Sequence, residues 1–251
     1  MNALLKGLGL DQYQRTAHLQ PAMIVVAPLS VIAFLWAPKA SALVGTFVSG
    51  VATLGLLNLL MQFGRSQGRK VQRLMISEAG ALPSALALRH ADPHVPAGLK
   101  KRYHLALAKH GFLMPSEHEE SADPAGALEA YKAASAWLPD QTRDQKKFEL
   151  LHAENRSYGF RRNLLGLKPT GIAVISICLV INAVLTWTYR SDLDRLTVSA
   201  IVSIAFVFGV IAWLFVVNRA FVEDAGWAYA ERQLAACEKI TAKKSPAVKA
   251  L

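Results

Sequence analysis

The chain has 251 residues, 53% of them hydrophobic, and 28 Lys and Arg against 18 Asp and Glu give it a formal charge of +10. A soluble domain of this size would scatter charges every few positions through its apolar pattern, whereas here charge vanishes for whole stretches and then returns densely, which excludes an ordinary soluble core. Cys178 in an apolar run and Cys237 near the end give no sign of a disulfide framework.

Residues 1–20, with Lys6, Arg15 and His18, precede a first apolar run from Pro21 to Ala37. That run ends at Pro38 and Lys39 without an Ala-x-Ala site, and Ala40 opens a second run to Phe63 almost at once. The expectation is a tight transmembrane hairpin over 21–63, not a cleaved secretory signal. Two more runs, Thr170 to Tyr189 and Leu196 to Val217, form a second hairpin over 170–217. The four runs are 17 to 24 residues long and contain no Asp, Glu, Lys, Arg or His. At ~1.5 Å per helical residue, about 20 residues cross the ~30 Å hydrocarbon layer of a bilayer. The fold expected is therefore an all-α integral membrane protein of two transmembrane helical hairpins with a helical cytoplasmic insert between them.

Within the runs, Ser41, Gly45, Ser49 and Thr53 recur every four residues and place small side chains on one helical face, a surface for close packing inside the hairpin or between subunits of a homo-oligomer. Pro28 removes a backbone donor in mid-span and predicts a kink. Asn182, near the middle of the third run, predicts an interhelical hydrogen bond or a polar pore lining. Coupled transporters and voltage sensors generally need ionisable groups at membrane depth, and these runs supply none.

The segment 64–169 carries seventeen Lys and Arg against eleven Asp and Glu, and 218–251 carries six against four. The flanking clusters Arg65, Arg69, Lys70, Arg73 and Arg156, Arg161, Arg162, Lys168 place the insert, both termini and the C-terminal helix and tail on the cytoplasmic side of the membrane. Cations beside a bilayer meet anionic headgroups, so the charge points to lipid and not to nucleic acid, for which no basic, aromatic-interleaved motif is present. The insert reads as short helices. One continues the second run to Ala79, one covers Gly98 to His110 and ends at Gly111, one starts at Asp123-Pro124 and stops at Pro139, and one runs from about Gln141 to Tyr158 into the third span. Pro115 to Pro124 reads as an acidic turn.

Three polar groupings in the insert have residue types that can form sites. His90-x-Asp92-x-His94 has metal-ligand residue types in a loop without a third firm ligand, and Glu117, Glu119 and Glu120 read as a solvated turn with no nucleophile beside them. Neither predicts a metal, cofactor or catalytic residue. The dense block before the third span, with Arg156, Tyr158, Arg161, Arg162 and Lys168, has the chemistry to grip a lipid headgroup or another anion, since guanidinium binds phosphate bidentately.

The stretch from Leu82 through Tyr103, with His90, Asp92-Pro93 and Lys101 to His104, followed by Thr142-Arg143-Asp144 and by Glu154 through Asn163, resembles a group of uncharacterised bacterial four-span membrane proteins. The layout is similar to that of antiphage membrane effectors, an analogy of architecture. It implies a cytoplasmic sensing segment joined to helices that oligomerise and permeabilise the membrane. A non-enzymatic scaffold or sensor that recruits a soluble cytoplasmic partner is the alternative reading, and an enzyme acting on a lipid rests only on scattered His, Asp and Arg residues.

Overall fold

A charge-free apolar stretch in a lipid environment must satisfy its own backbone, and the helix does so within one segment. The computed structural model, which describes residues 11–36 and 43–240 without the side chains of 43–53, follows that rule. It is 81% helical, with no strand among the described residues. The helices are α1 (Gln14–Trp36), α2 (Leu43–Ala79), α3 (Pro83–Leu86), α4 (Ala97–Ala108), α5 (Glu117–Ala122), α6 (Pro124–Gln141), α7 (Glu149–Thr188), α8 (Leu193–Phe215) and α9 (Arg219–Cys237). Three of them, α1, α7 and α8, are long and apolar enough to cross a membrane. Of the small-residue stripe, Ser41 lies outside the described residues, and Gly45, Ser49 and Thr53 are described as helical backbone alone.

The chain divides into two compact units. The first comprises Met1–Leu74 and Arg156–Glu223, the second Met75–Asn155 and Asp224–Leu251, so packing draws the divisions at other places than hydropathy does.

In the first unit Val25, Ile32, Leu164, Leu167, Ile175, Cys178, Phe206 and Trp213 form the core. Glycines let the helices approach. A Cβ added to Gly166 of α7 would lie 2.6 Å from the Gly68 nitrogen and 2.8 Å from the Gln67 carbonyl carbon of α2, while one on Gly64 would lie 2.9 Å from Leu167. Gly64-x-x-x-Gly68 is thus the close-packing element of this crossing. A Cβ on Gly171 would strike the Trp213 indole, and one on Gly209 would strike Ile175. The large apolar side chains point the other way: Phe34 is 87% exposed, and Leu59, Val180, Trp187, Ile201, Ile204, Phe208 and Phe215 are also exposed. Bulky hydrocarbon thus fills the core and also covers the outside, an exposed apolar surface that soluble proteins rarely carry.

The first helix begins at Gln14 and not at Pro21, opening with a π-helical turn over Gln14–Leu19. Pro21 has no N–H for the carbonyl one turn earlier, that of Ala17. Asn163 of α7, buried, supplies the missing donor, its Nδ2 donating to the Ala17 oxygen at 2.7 Å.

The second unit has its own core of Ala85, Leu88, Tyr103, Leu107, Tyr131, Ala134, Leu138 and Leu234, with a satellite of Phe148, Leu151 and Ala236. Two sequence expectations change here. The helix expected to stop at Pro139 runs on to Gln141, because Gln233 of α9 donates Nε2 to the Ser135 carbonyl that Pro139 leaves unpaired, at 3.2 Å. The acidic turn is instead α5, closed by a capping box in which Ser116 and Glu119 exchange hydrogen bonds. Gly111, with φ +90°, ends the turn after α4 as expected.

Candidate functional site

Three polar arrangements stand out, two in the first unit and one in the second. The first centres on Asn182, fully buried on α7. The Trp36 indole N–H donates to its Oδ1 at 2.9 Å, and its Nδ2 donates to the Ser199 carbonyl at 3.0 Å and to Ser203 Oγ at 2.9 Å. Thr186 Oγ1 donates to the Asn182 carbonyl at 2.6 Å and meets Ser199 Oγ. One amide therefore ties α1, α7 and α8 together where all else is hydrocarbon, and Trp36 stacks on Tyr189 beside it at 5.7 Å. Replacing Asn182 by Leu is expected to cost about 1–2 kcal/mol, the range for interhelical side-chain hydrogen bonds. A drop in melting temperature in detergent, reduced when Trp36 is already Phe, is the expected reading; an unchanged melt would show that the amide ties nothing.

The second is the basic block on α7. Arg161 donates Nη1 to the Phe221 carbonyl at 3.0 Å, with its guanidinium 4.6 Å from the Phe221 ring. Arg162 donates Nη1 to Gln72 Oε1 at 2.5 Å and lies 5.7 Å from the Tyr158 ring, which is buried. Lys168 donates Nζ to the carbonyls of Leu214 at 2.9 Å and Val217 at 2.8 Å. The Leu214 carbonyl lies in the last turn of α8, whose dipole is negative there, and that of Val217 just beyond it, so the ammonium caps the helix. Arg156 is half-buried on the same helix. All five residues lie on α7, and the donors of Arg161, Arg162 and Lys168 are turned to acceptors within the protein.

The third is a network in the second unit that the sequence did not reveal. Glu120, 5% exposed, accepts from the His90 N–H at 2.7 Å, the Tyr131 hydroxyl at 3.0 Å and Arg89 Nε at 3.2 Å. Burial pushes its carboxyl up, but these three donors and the Arg89 charge outweigh it and hold the group below the ordinary carboxylate value. Burial and the Glu120 charge in turn push the Tyr131 phenol up. Lys100, 3% exposed, donates to the carbonyls of Arg89, His90 and Asp92, closing the loop after α3. His90 Nε2 donates to the Pro115 carbonyl at 2.9 Å and His104 Nε2 to the Leu88 carbonyl at 2.8 Å. The two imidazoles meet edge to face at 5.1 Å. Burial, opposed by the Leu88 hydrogen bond and helped by the nearby His90 and Lys100, pushes His104 below its usual value.

Chemically, the Glu120 carboxylate is ionised and saturated with donors, an arrangement that joins α5, α6 and the loop after α3. His94 leaves the His90-x-Asp92-x-His94 grouping to stack on Trp227 at 3.6 Å, with Nδ1 3.2 Å from Asp92. Among the described residues no three His, Cys, Asp or Glu side chains converge on a metal position. The sequence carries two local signals of this packing: Gly64-x-x-x-Gly68, and the prolines at 21 and 139, each of which demands a donor from elsewhere for a carbonyl four residues back. Compared with known proteins, the chain matches no family model, no curated protein and no solved structure.

Proposed function

We propose that this chain is a four-span protein of a bacterial inner membrane, with both termini cytoplasmic, whose helical insert receives a cytoplasmic signal and whose membrane helices respond by assembling with further copies and perturbing the bilayer. The observation that carries the membrane assignment is the exposed belt of Phe34, Leu59, Val180, Trp187, Ile201, Phe208 and Phe215 around a core held by glycine contacts and one satisfied asparagine. Soluble monomers rarely leave contiguous apolar patches above a few hundred Å². The second run, continued in α2, supplies the fourth crossing. Support for a signalling role comes from α2 and α7, of 37 and 40 residues, each of which contributes to both units without a break. A single continuous helix is one of the rigid elements through which a change at one end can be carried to the other.

Controlled expression with a membrane-potential dye, with and without phage infection, tests the response. Depolarisation under a trigger supports it, and a steady potential under every trigger removes the perturbing role.

A specific feature favours recruitment of a soluble partner as the second reading. In the second unit Lys146, Lys147, Arg232 and Lys239 surround a groove of about 270 Å³ floored by Phe148 and Leu151. Retention of a soluble protein by the full chain in detergent, lost on reversing these four charges and accompanied by no depolarisation, would establish recruitment in place of perturbation.

A further inference from the structure

The outward side of α2 changes character within a single turn. Leu54, Leu59 and Phe63 are exposed and apolar, and from Arg65 onward the exposed residues include Arg65, Arg69, Lys70 and Arg73. Arg65, Arg69 and Arg73 follow one another at i, i+4 and i+8 and so share one helical face. Unlike Arg161, Arg162 and Lys168, none of these four cations has a hydrogen-bond or ion-pair partner among the described residues, and no acid occurs on α2 before Glu78. Three arginines on one helix face, with Lys70 beside them and no acid, repel one another, and an outside anion relieves that repulsion.

We propose that Arg65, Arg69, Lys70 and Arg73 form a binding surface for the phosphodiester headgroups of anionic phospholipids, at the level where α2 leaves the hydrocarbon. The proposal rests on the membrane reading above. Its geometry fits: the eight-residue step from Arg65 to Arg73 rises ~12 Å, the scale of the headgroup layer and the counter-ion layer beyond it. Arg65 and Arg69, one turn apart, can each present a planar fork of donors to the same phosphate. The apolar residues just before them place these forks beside lipid and not in open water, where a soluble anion would be met. Each cation near an anionic surface adds about fivefold to partition, so three arginines together give a preference of tenfold or more.

The test uses the full-length protein purified in detergent and reconstituted into phosphatidylcholine vesicles, with trace spin-labelled phosphatidylglycerol or phosphatidylcholine as the probe. Wild type is expected to immobilise phosphatidylglycerol at least tenfold more strongly than phosphatidylcholine, a preference that falls with added salt. Combining Arg65→Gln, Arg69→Gln and Arg73→Gln is expected to bring the ratio close to one without shifting the melting temperature, because these side chains hold no internal partner. Arg162→Gln, whose guanidinium bonds Gln72, should lower the melting temperature and keep the preference. Equal immobilisation of both lipids by wild type, or a preference that survives the triple substitution, overturns the proposal while leaving the membrane reading intact. If the chain fails to co-float with phosphatidylcholine vesicles at all, the membrane reading itself is overturned.

Discussion

Gly166→Leu is expected to abolish the folded first unit, giving aggregated material in place of a monodisperse peak on size exclusion in detergent. A Cβ at this position meets backbone, 2.6 Å from the Gly68 nitrogen and 2.8 Å from the Gln67 carbonyl carbon, so no rotamer change relieves it and the two helices must separate. Gly166→Ala alone should cost about 1–3 kcal/mol, the usual range for overpacking. Separation would also strain the nearby bond from Asn163 to the carbonyl of Ala17, which nothing else on α1 can take up, since Pro21 has no N–H. Gly55→Ala, on the partner helix α2, is the control. Nothing lies within 4 Å of a Cβ there, so the change should be neutral or raise stability by up to ~1 kcal/mol through helix propensity. Equal melting temperatures for the 166 and 55 alanine variants would refute the glycine crossing.

Glu120→Ala should be the most damaging single change in the second unit. It leaves the His90 N–H and the Tyr131 hydroxyl as donors without an acceptor, at about 1–3 kcal/mol each, so a total of about 2–6 kcal/mol is expected. Cys237 reports the opening. It is buried in the core beside Leu234, and burial together with the Glu238 charge pushes its thiol up to about 12, so it should be inert to maleimide at pH 7 in the wild type and labelled in the variant.

The same network sets a pH dependence whose sign follows from linkage. His104 is held below 6.5 in the folded chain, so the unfolded chain binds the proton first. The neutral ring's contribution is complete above 6.5 and is lost as the pH falls below it. Glu120 is held below 4.5, so its contribution is present above 4.5 and is lost as the pH falls toward its folded value. Both terms destabilise the second unit on acidification, each with a slope of at most about 1.4 kcal/mol per pH unit. His104→Gln should remove the decline that begins at 6.5, and Glu120→Gln the one that begins at 4.5, in thermal melts followed by tryptophan fluorescence. An opposite slope in the wild type would mean that these groups titrate with their pKa values shifted the other way.

The glycine crossing and the Glu120 network give the two units different characters. In the first, many bulky side chains face outward and the buried side chains of Asn163, Asn182 and Ser199 each have an internal partner, an arrangement suited to apolar surroundings. In the second, apolar side chains face inward and charges face water, with Glu120 and Lys100 as paired exceptions.

From the residues alone, the helical class and the apolar character of α1, α7 and α8 were determined, because a run of some twenty uncharged residues leaves the backbone no other way to satisfy itself out of water. The endings at Gly111 and at Asp123-Pro124 were equally legible, since they depend on φ > 0 and on capping within a few residues of chain. Where a polar group finds its partner was decided by tertiary structure. Pro21 and Pro139 announce unpaired carbonyls, but Asn163 and Gln233, which answer them, lie 146 and 98 residues away from Ala17 and Ser135. Glu120 looked like its neighbours Glu117 and Glu119 until α6 brought Tyr131 against it. The basic block before the third span and the stripe on α2 were indistinguishable as charge counts. Packing alone turned the donors of Arg161, Arg162 and Lys168 onto internal oxygens and left Arg65, Arg69 and Arg73 facing outward, because a long cationic side chain takes whichever acceptor the fold brings within reach.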